Sequence, residues 1–214
     1  MKGPAVFVVV WFLLALTLSV TGWFERFSSA ILFAIGALVS VIGFAVLHAS
    51  SDRFRGFVRG RSLKRLTQAQ TLRLFGILAL VKAYQDILPP VFAVPVGLID
   101  VAFAISSLFV ASRLVGTNLL PSRTFIAWHV LGVVGLAVSA TLAILTSTSR
   151  FGLVDEGHTS QPMTWFPMSL VPTFIGPFVL ICHLFAILVA LQSRSRSGVQ
   201  SATDNRVPEK ALRR

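Results

Sequence analysis

Six apolar runs decide what this chain can become. Residues 4–24, 28–49, 71–88, 90–112, 124–145 and 172–191 each extend for about 20 residues with almost no ionisable side chain, the length a helix needs to cross a bilayer core. Each run is apolar on every side, so none reads as an amphipathic surface helix. Only 13% of the residues are charged, against about 25% in a soluble domain. Eighteen Phe and four Trp exclude a disordered chain. A single cysteine, Cys182, excludes a disulfide scaffold and a Cys-rich metal or iron–sulfur site. The expected fold is therefore all-α, a six-transmembrane-helix bundle over 1–192 with a disordered basic tail at 193–214. The run 4–24 reads as a retained helix, because Ser19-Val20-Thr21 makes a poor signal-peptide cleavage site.

The net charge of +11 would suggest nucleic acid in a soluble protein. Here it tracks topology instead. With alternating helices, one side receives Lys2; Arg53, Arg55, Arg59, Arg61, Lys64, Arg65 and Arg73; Arg113 and Arg123; and Arg194, Arg196, Arg206, Lys210, Arg213 and Arg214. The other receives only Arg26 and Arg150. That asymmetry places both termini in the cytoplasm and the 147–166 loop outside, and leaves no charge for nucleic acid to explain. Within 53–65, Phe54, Phe57 and Val58 stand at helical spacing among arginines. The segment reads as a basic topology-setting loop or as a short helix lying on anionic lipid headgroups. In the outside loop, His158 beside Asp155 and Glu156 reads as solvated acidic loop rather than metal site.

Ionisable residues inside apolar runs are costly, and each raises a functional question. They are His48, Arg73, Lys82, Asp86, Asp100, His129 and His183. His48 and Arg73 lie close enough to a helix end to snorkel. Lys82 and Asp86 are four residues apart and share a helical face. Asp100, ten residues after Pro90, falls about 15 Å into its helix, near the bilayer midplane. The expected arrangement is a Lys82–Asp100 or Lys82–Asp86–Asp100 cluster, serving either as a structural ion pair or as a ligand or proton site. His183 falls at a similar depth, and His129 is shallower. Each reads as a hydrogen-bonded structural histidine, with bis-His haem ligation as the alternative.

Pro90-Val91-Phe92-Ala93-Val94-Pro95 and Pro172-Thr173-Phe174-Ile175-Gly176-Pro177 share the pattern Pro-x-Phe-x-x-Pro. Each puts a favourable Pro at a helix start and a second Pro that breaks a backbone hydrogen bond. Interrupted helices in matching positions of two halves point to a binding site in transporter folds. A coincidence in a Pro- and Phe-rich chain gives the same pattern.

The stretch Leu88-Pro89-Pro90-Val91-Phe92-Ala93-Val94-Pro95-Val96-Gly97-Leu98-Ile99-Asp100 resembles a segment of a group of bacterial multi-pass membrane proteins, in which it runs roughly Leu-Pro-x-x-Phe-Ala-x-Pro-Ala-Gly-x-Gly-Asp. The resemblance implies a bacterial cytoplasmic-membrane protein in which Pro95, Gly97 and Asp100 are positions of interest. It supplies no reaction. Val96 and Ile99 stand where that pattern has small residues, which removes there the close helix packing such residues allow.

Nucleophile elbows, zincin motifs and glycine-rich phosphate loops do not occur in the chain. These features lead to a non-enzymatic protein: an accessory subunit, or a small-molecule or ion-handling protein with a polar pocket between its third, fourth and sixth spans. No cofactor is expected in that reading. The alternative is a haem- or quinone-associated redox protein using His129 and His183. A membrane-protein partner or a second copy of the chain is compatible with either.

Overall fold

The computed structural model describes residues 3–113, 122–148 and 158–204. Every regular element among them is helical: α1 (Gly3–Val20), α2 (Ser29–Ser50), α3 (Asp52–Arg59), α4 (Leu63–Gln68), α5 (Gly76–Tyr84), α6 (Pro90–Arg113), α7 (Arg123–Leu145) and α8 (Gly176–Asp204). Four helices are long and apolar enough to cross a membrane, namely α2, α6, α7 and the stem of α8 entered through a π turn at Val171–Ile175. Large apolar side chains such as Phe109 (67% exposed), Val39 (66%) and Leu131 (60%) face outward, while Arg73, Asp100, His129 and His183 are buried. This inversion suits a lipid solvent.

The helix starts follow local rules. Ser28, Ser51 and Ser122 stand in extended backbone and accept from the N–H of Ile31, Phe54 and Phe125, so each satisfies an orphan donor of the first turn. In α8, Pro177 has no N–H to offer the carbonyl of Thr173. The indole of Trp11 donates to it instead, at 3.2 Å, and so fastens α1 to the bundle.

The expected span at 71–88 is not one α-helix. The chain is 3-10 helical from Ala69 to Phe75, and α5 follows for only nine residues. Backbone dihedrals remain right-handed helical at the junctions Gln68, Ala69, Phe75 and Gly76. Residues 63–84 thus form one rod of changing pitch, starting eight residues earlier than composition placed it. The rod ends in a Schellman motif: Ile87 N–H donates to Lys82 O and Asp86 N–H to Ala83 O, with Asp86 at φ 54°. Hydropathy misplaced the rod because its first half carries Lys64, Arg65, Gln68 and Gln70.

The basic segment packs its aromatic face on the bundle. It forms α3, and Phe54, Phe57 and Val58 pack against Phe44, Phe185 and Val189. Arg55 donates to the carbonyls of His48 and Ala49 at 2.8 Å, capping the end of α2. The apolar face is covered by protein, and the arginines Arg53 and Arg59 remain exposed. At the other end of the chain, α8 continues to Asp204, so 193–204, expected to be disordered, is helical. A packed stem supplies the nucleus from which a polar helix propagates. The rest of the tail lies outside the described residues, as do Asp155 and Glu156.

Candidate functional site

Three-residue spacing builds the centre of the molecule. With about three residues per turn, positions i and i+3 eclipse in a 3-10 helix, whereas an α-helix would turn Thr67 and Arg73 about 120° apart. Thr67, Gln70, Arg73, Gly76 and Ala79 accordingly lie along one buried face of the rod. That face meets α6, α7 and α8.

Arg73, 1% exposed, donates from Nε to Asp100 Oδ1 at 2.8 Å and from Nη1 to Gly132 O at 3.4 Å. Nη2 stands 2.7 Å from the same Oδ1 but off the hydrogen-bonding line. The guanidinium carbon lies 4.4 Å from the centroid of the Phe103 ring, a cation–π contact in a desolvated setting. So the arginine expected to snorkel is instead the partner of Asp100. Its position in the 3-10 turn aims it inward, and a carboxylate awaits it eleven residues into α6.

Lys82 does not join this pair. It donates to Gln85 Oε1 on its own chain at 3.1 Å. Asp86 is exposed and ends the rod, because the chain is already turning there and the i,i+4 face no longer exists. Asp100 is buried within α6, and its ion-pair partner is Arg73 rather than Lys82.

The two histidines meet. His129 Nδ1 and His183 Nδ1 are 2.8 Å apart, and both side chains are fully buried. Counting depth from opposite helix ends separated them by roughly one turn, which two imidazoles reaching toward each other can span. Phe125, Trp128 and Phe103 wall the pair with edge contacts, and Trp128 Nε1 donates to Ser106 Oγ at 3.2 Å.

Proton positions follow from what each partner can do. The Thr67 hydroxyl donates to Leu63 O at 2.8 Å, and a carbonyl only accepts. The Thr67 oxygen therefore accepts from His129 Nε2–H at 3.3 Å. In the neutral pair, His129 Nδ1 then accepts from His183 Nδ1–H. His183 Nε2 is left as a buried lone pair without a hydrogen-bond partner.

Glycines make these approaches possible. A Cβ on Gly132 would lie 2.2 Å from His183 Cε1, and one on Gly76 would lie 2.5 Å from Asp100 Cβ. A Cβ on Gly97 would come within 2.6 Å of Leu80 Cγ and 2.8 Å of Gly76 O. Gly97 thus serves the crossing of α5 and α6, as small residues do in membrane bundles. Val96 is buried in the apolar core, and Ile99 packs on Gly135 of α7. At Ile99 the small residue is supplied by the neighbouring helix. Pro95 lies inside α6, and Pro177 is the second residue of α8. The two Pro-x-Phe-x-x-Pro segments both sit at helix starts, but only the second forms a π turn.

Bis-His haem ligation needs the iron between two ring nitrogens on opposite porphyrin faces. Here the two facing nitrogens share a hydrogen bond, His129 Nε2 faces Thr67, and His183 Nε2 abuts Gly132. The rings as placed are arranged for each other rather than for a macrocycle.

A family model described as Domain of unknown function (DUF8737) matches residues 26–191. The chain belongs to that family. The matched region takes in the whole rod and all four ionisable residues of the cluster, and leaves out α1. No curated protein and no solved structure matches the chain.

Proposed function

We propose that this DUF8737 protein is a non-enzymatic, multi-pass protein of the bacterial cytoplasmic membrane that handles protons through the cluster of Arg73, Asp100, His129 and His183. One observation carries the reading: four ionisable side chains from the rod, α6, α7 and α8 converge in the buried centre, and one of them, His183, keeps a bare nitrogen. Intramembrane carboxylates and histidines in contact are the material of proton relays. A bundle that needed only a lock would be served by the ion pair alone.

Six crossings with both termini cytoplasmic fit this reading. The rod 63–84 has a length of about 36 Å, combining rises of about 1.5 Å and 2.0 Å per residue, enough for a core of about 30 Å. Moving Arg73 inward leaves the charge asymmetry essentially intact. The exposed arginines of α3 would then face anionic headgroups of the inner leaflet. A reporter fused after Arg214 should be active only in its cytoplasmic form; periplasmic activity would reverse the topology.

The functional test is flux. Purified protein in liposomes containing a pH-sensitive dye should dissipate an imposed pH gradient faster than empty vesicles. His183→Phe and Asp100→Asn should return the rate to that of empty vesicles. A wild-type rate equal to theirs would leave the cluster a structural lock. A Soret band abolished by either histidine substitution would favour the redox reading instead.

A further inference from the structure

We propose that the seam between the 3-10 segment and α8 binds one internal water molecule, held by Gln70 Oε1, His183 Nε2 and Arg73 Nη2, which joins the histidine pair and the ion pair into a single network. The proposal rests on the proton-handling reading for its purpose, but its geometry stands apart from it. These three atoms are buried side-chain groups without a hydrogen-bond partner, and buried polar groups in folded proteins are nearly always satisfied.

Their hydrogen-bonding characters are fixed. Gln70 Nε2 donates to Val179 O at 3.1 Å; since a carbonyl only accepts, the other amide atom is Oε1, an acceptor. His183 Nε2 is an acceptor by the tautomer argument above. Arg73 Nη2 is a donor. Two acceptors and one donor are the complement of a water molecule that donates twice and accepts once, within the two to four bonds a buried water makes.

Their positions converge as well. Thr67 meets His129, and Arg73 meets Gly132, one turn further along α7. Gln70 lies between them on the same eclipsed face. Opposite Gln70 stand Val179 and, one turn on, His183, whose Nε2 abuts Gly132. A Cβ on Gly135 would lie 3.4 Å from Arg73 Nη2. Gln70 Oε1, His183 Nε2 and Arg73 Nη2, the last in ion-pair contact with Asp100 but making no hydrogen bond, thus border one short stretch between the rod, α7 and α8.

The balance of a transfer through this site is simple. A proton arriving at the water passes on to His183 Nε2 as His183 Nδ1–H moves to His129 Nδ1. The water is left neutral, His129 holds the proton as an imidazolium, and the reverse steps return it to the water. No oxidant, metal or other co-reactant is needed.

Water-edited solid-state NMR of the full-length protein in lipid nanodiscs, with 15N-labelled histidine, tests the site. In the wild type, His183 Nε2 should be unprotonated and receive water-proton magnetisation as efficiently as solvent-exposed His158. Gln70→Met should reduce that transfer several-fold. Gln70→Glu, whose protonated acid can donate to Val179 O and keep an acceptor oxygen, should preserve it. Absence of transfer in the wild type overturns the site without reference to any variant, as does transfer unchanged in Gln70→Met. Proton flux measured on the same preparations separates the two ideas. Flux without water transfer sinks the water site and leaves the proton-handling reading; transfer without flux does the reverse.

Discussion

Replacing Arg73 with Met should destabilise the folded protein by about 3–5 kcal/mol, the usual cost of stranding one partner of a buried pair. Asp100 would be left in an apolar centre with its ionic partner Arg73 gone, and would have to take up a proton. Asp100→Asn should cost less than this, because the amide oxygen can still accept from Arg73 Nε, yet the guanidinium would lose its counter-charge. The double variant Arg73→Met/Asp100→Asn removes both charges and should recover a large part of the loss, with a coupling well beyond 0.5 kcal/mol. Thermal unfolding of the two single variants and the double variant in detergent measures this. Additive losses would mean that the 2.8 Å contact does not form. Lys82→Met is the internal comparison. Among the described residues Lys82 reaches only Gln85, so its loss should change stability by no more than about 0.5 kcal/mol.

The second large effect comes from a single methyl group. Gly132→Ala would put a carbon 2.2 Å from His183 Cε1 and 2.3 Å from Nε2. Neither α7 nor the ring can yield freely, because Arg73 holds the Gly132 carbonyl and His129 holds the ring. Overpacking of this kind costs about 1–3 kcal/mol or more, and here it should also part the two histidines. Gly43→Ala is the opposite case. Nothing lies within 4 Å of a Cβ at Gly43 on α2, and replacing a mid-helix glycine gains about 0.5–1 kcal/mol. Melting temperatures that move in opposite directions for the two glycines would bear out the packing; a neutral Gly132→Ala would argue that α7 and α8 stand further apart.

Much of this architecture could be read from residue order. Apolar runs of bilayer length are a one-dimensional property, so α2, α6, α7 and the stem of α8 were legible within a few residues. Capping serines and the prolines at helix starts are equally local. Asp100 stood out because an acidic residue in the middle of a 24-residue apolar helix has no cheap place to go.

The partner of Asp100 was not legible, and the reason is pitch. Thr67, Gln70 and Arg73 carry a period of three, a signal that was present in the sequence but becomes a face only if the chain winds as a 3-10 helix. That winding has poorer hydrogen-bond geometry and seldom persists beyond a few residues. It is held over Ala69–Phe75 by contacts to Asp100, Gly132 and Val179, which come from three other helices. The histidine pair shows the same dependence. Spacing gives each residue a depth along its own helix, but the facing of His129 and His183 depends on how α7 and α8 are rotated and on the absence of a side chain at Gly132. The sequence by itself determined that α2, α6, α7 and the stem of α8 are long and apolar enough to cross a membrane, because that follows from transfer free energy along the chain. Only the tertiary structure decided which buried polar groups touch, because that is set by helix pitch, rotation and close approach.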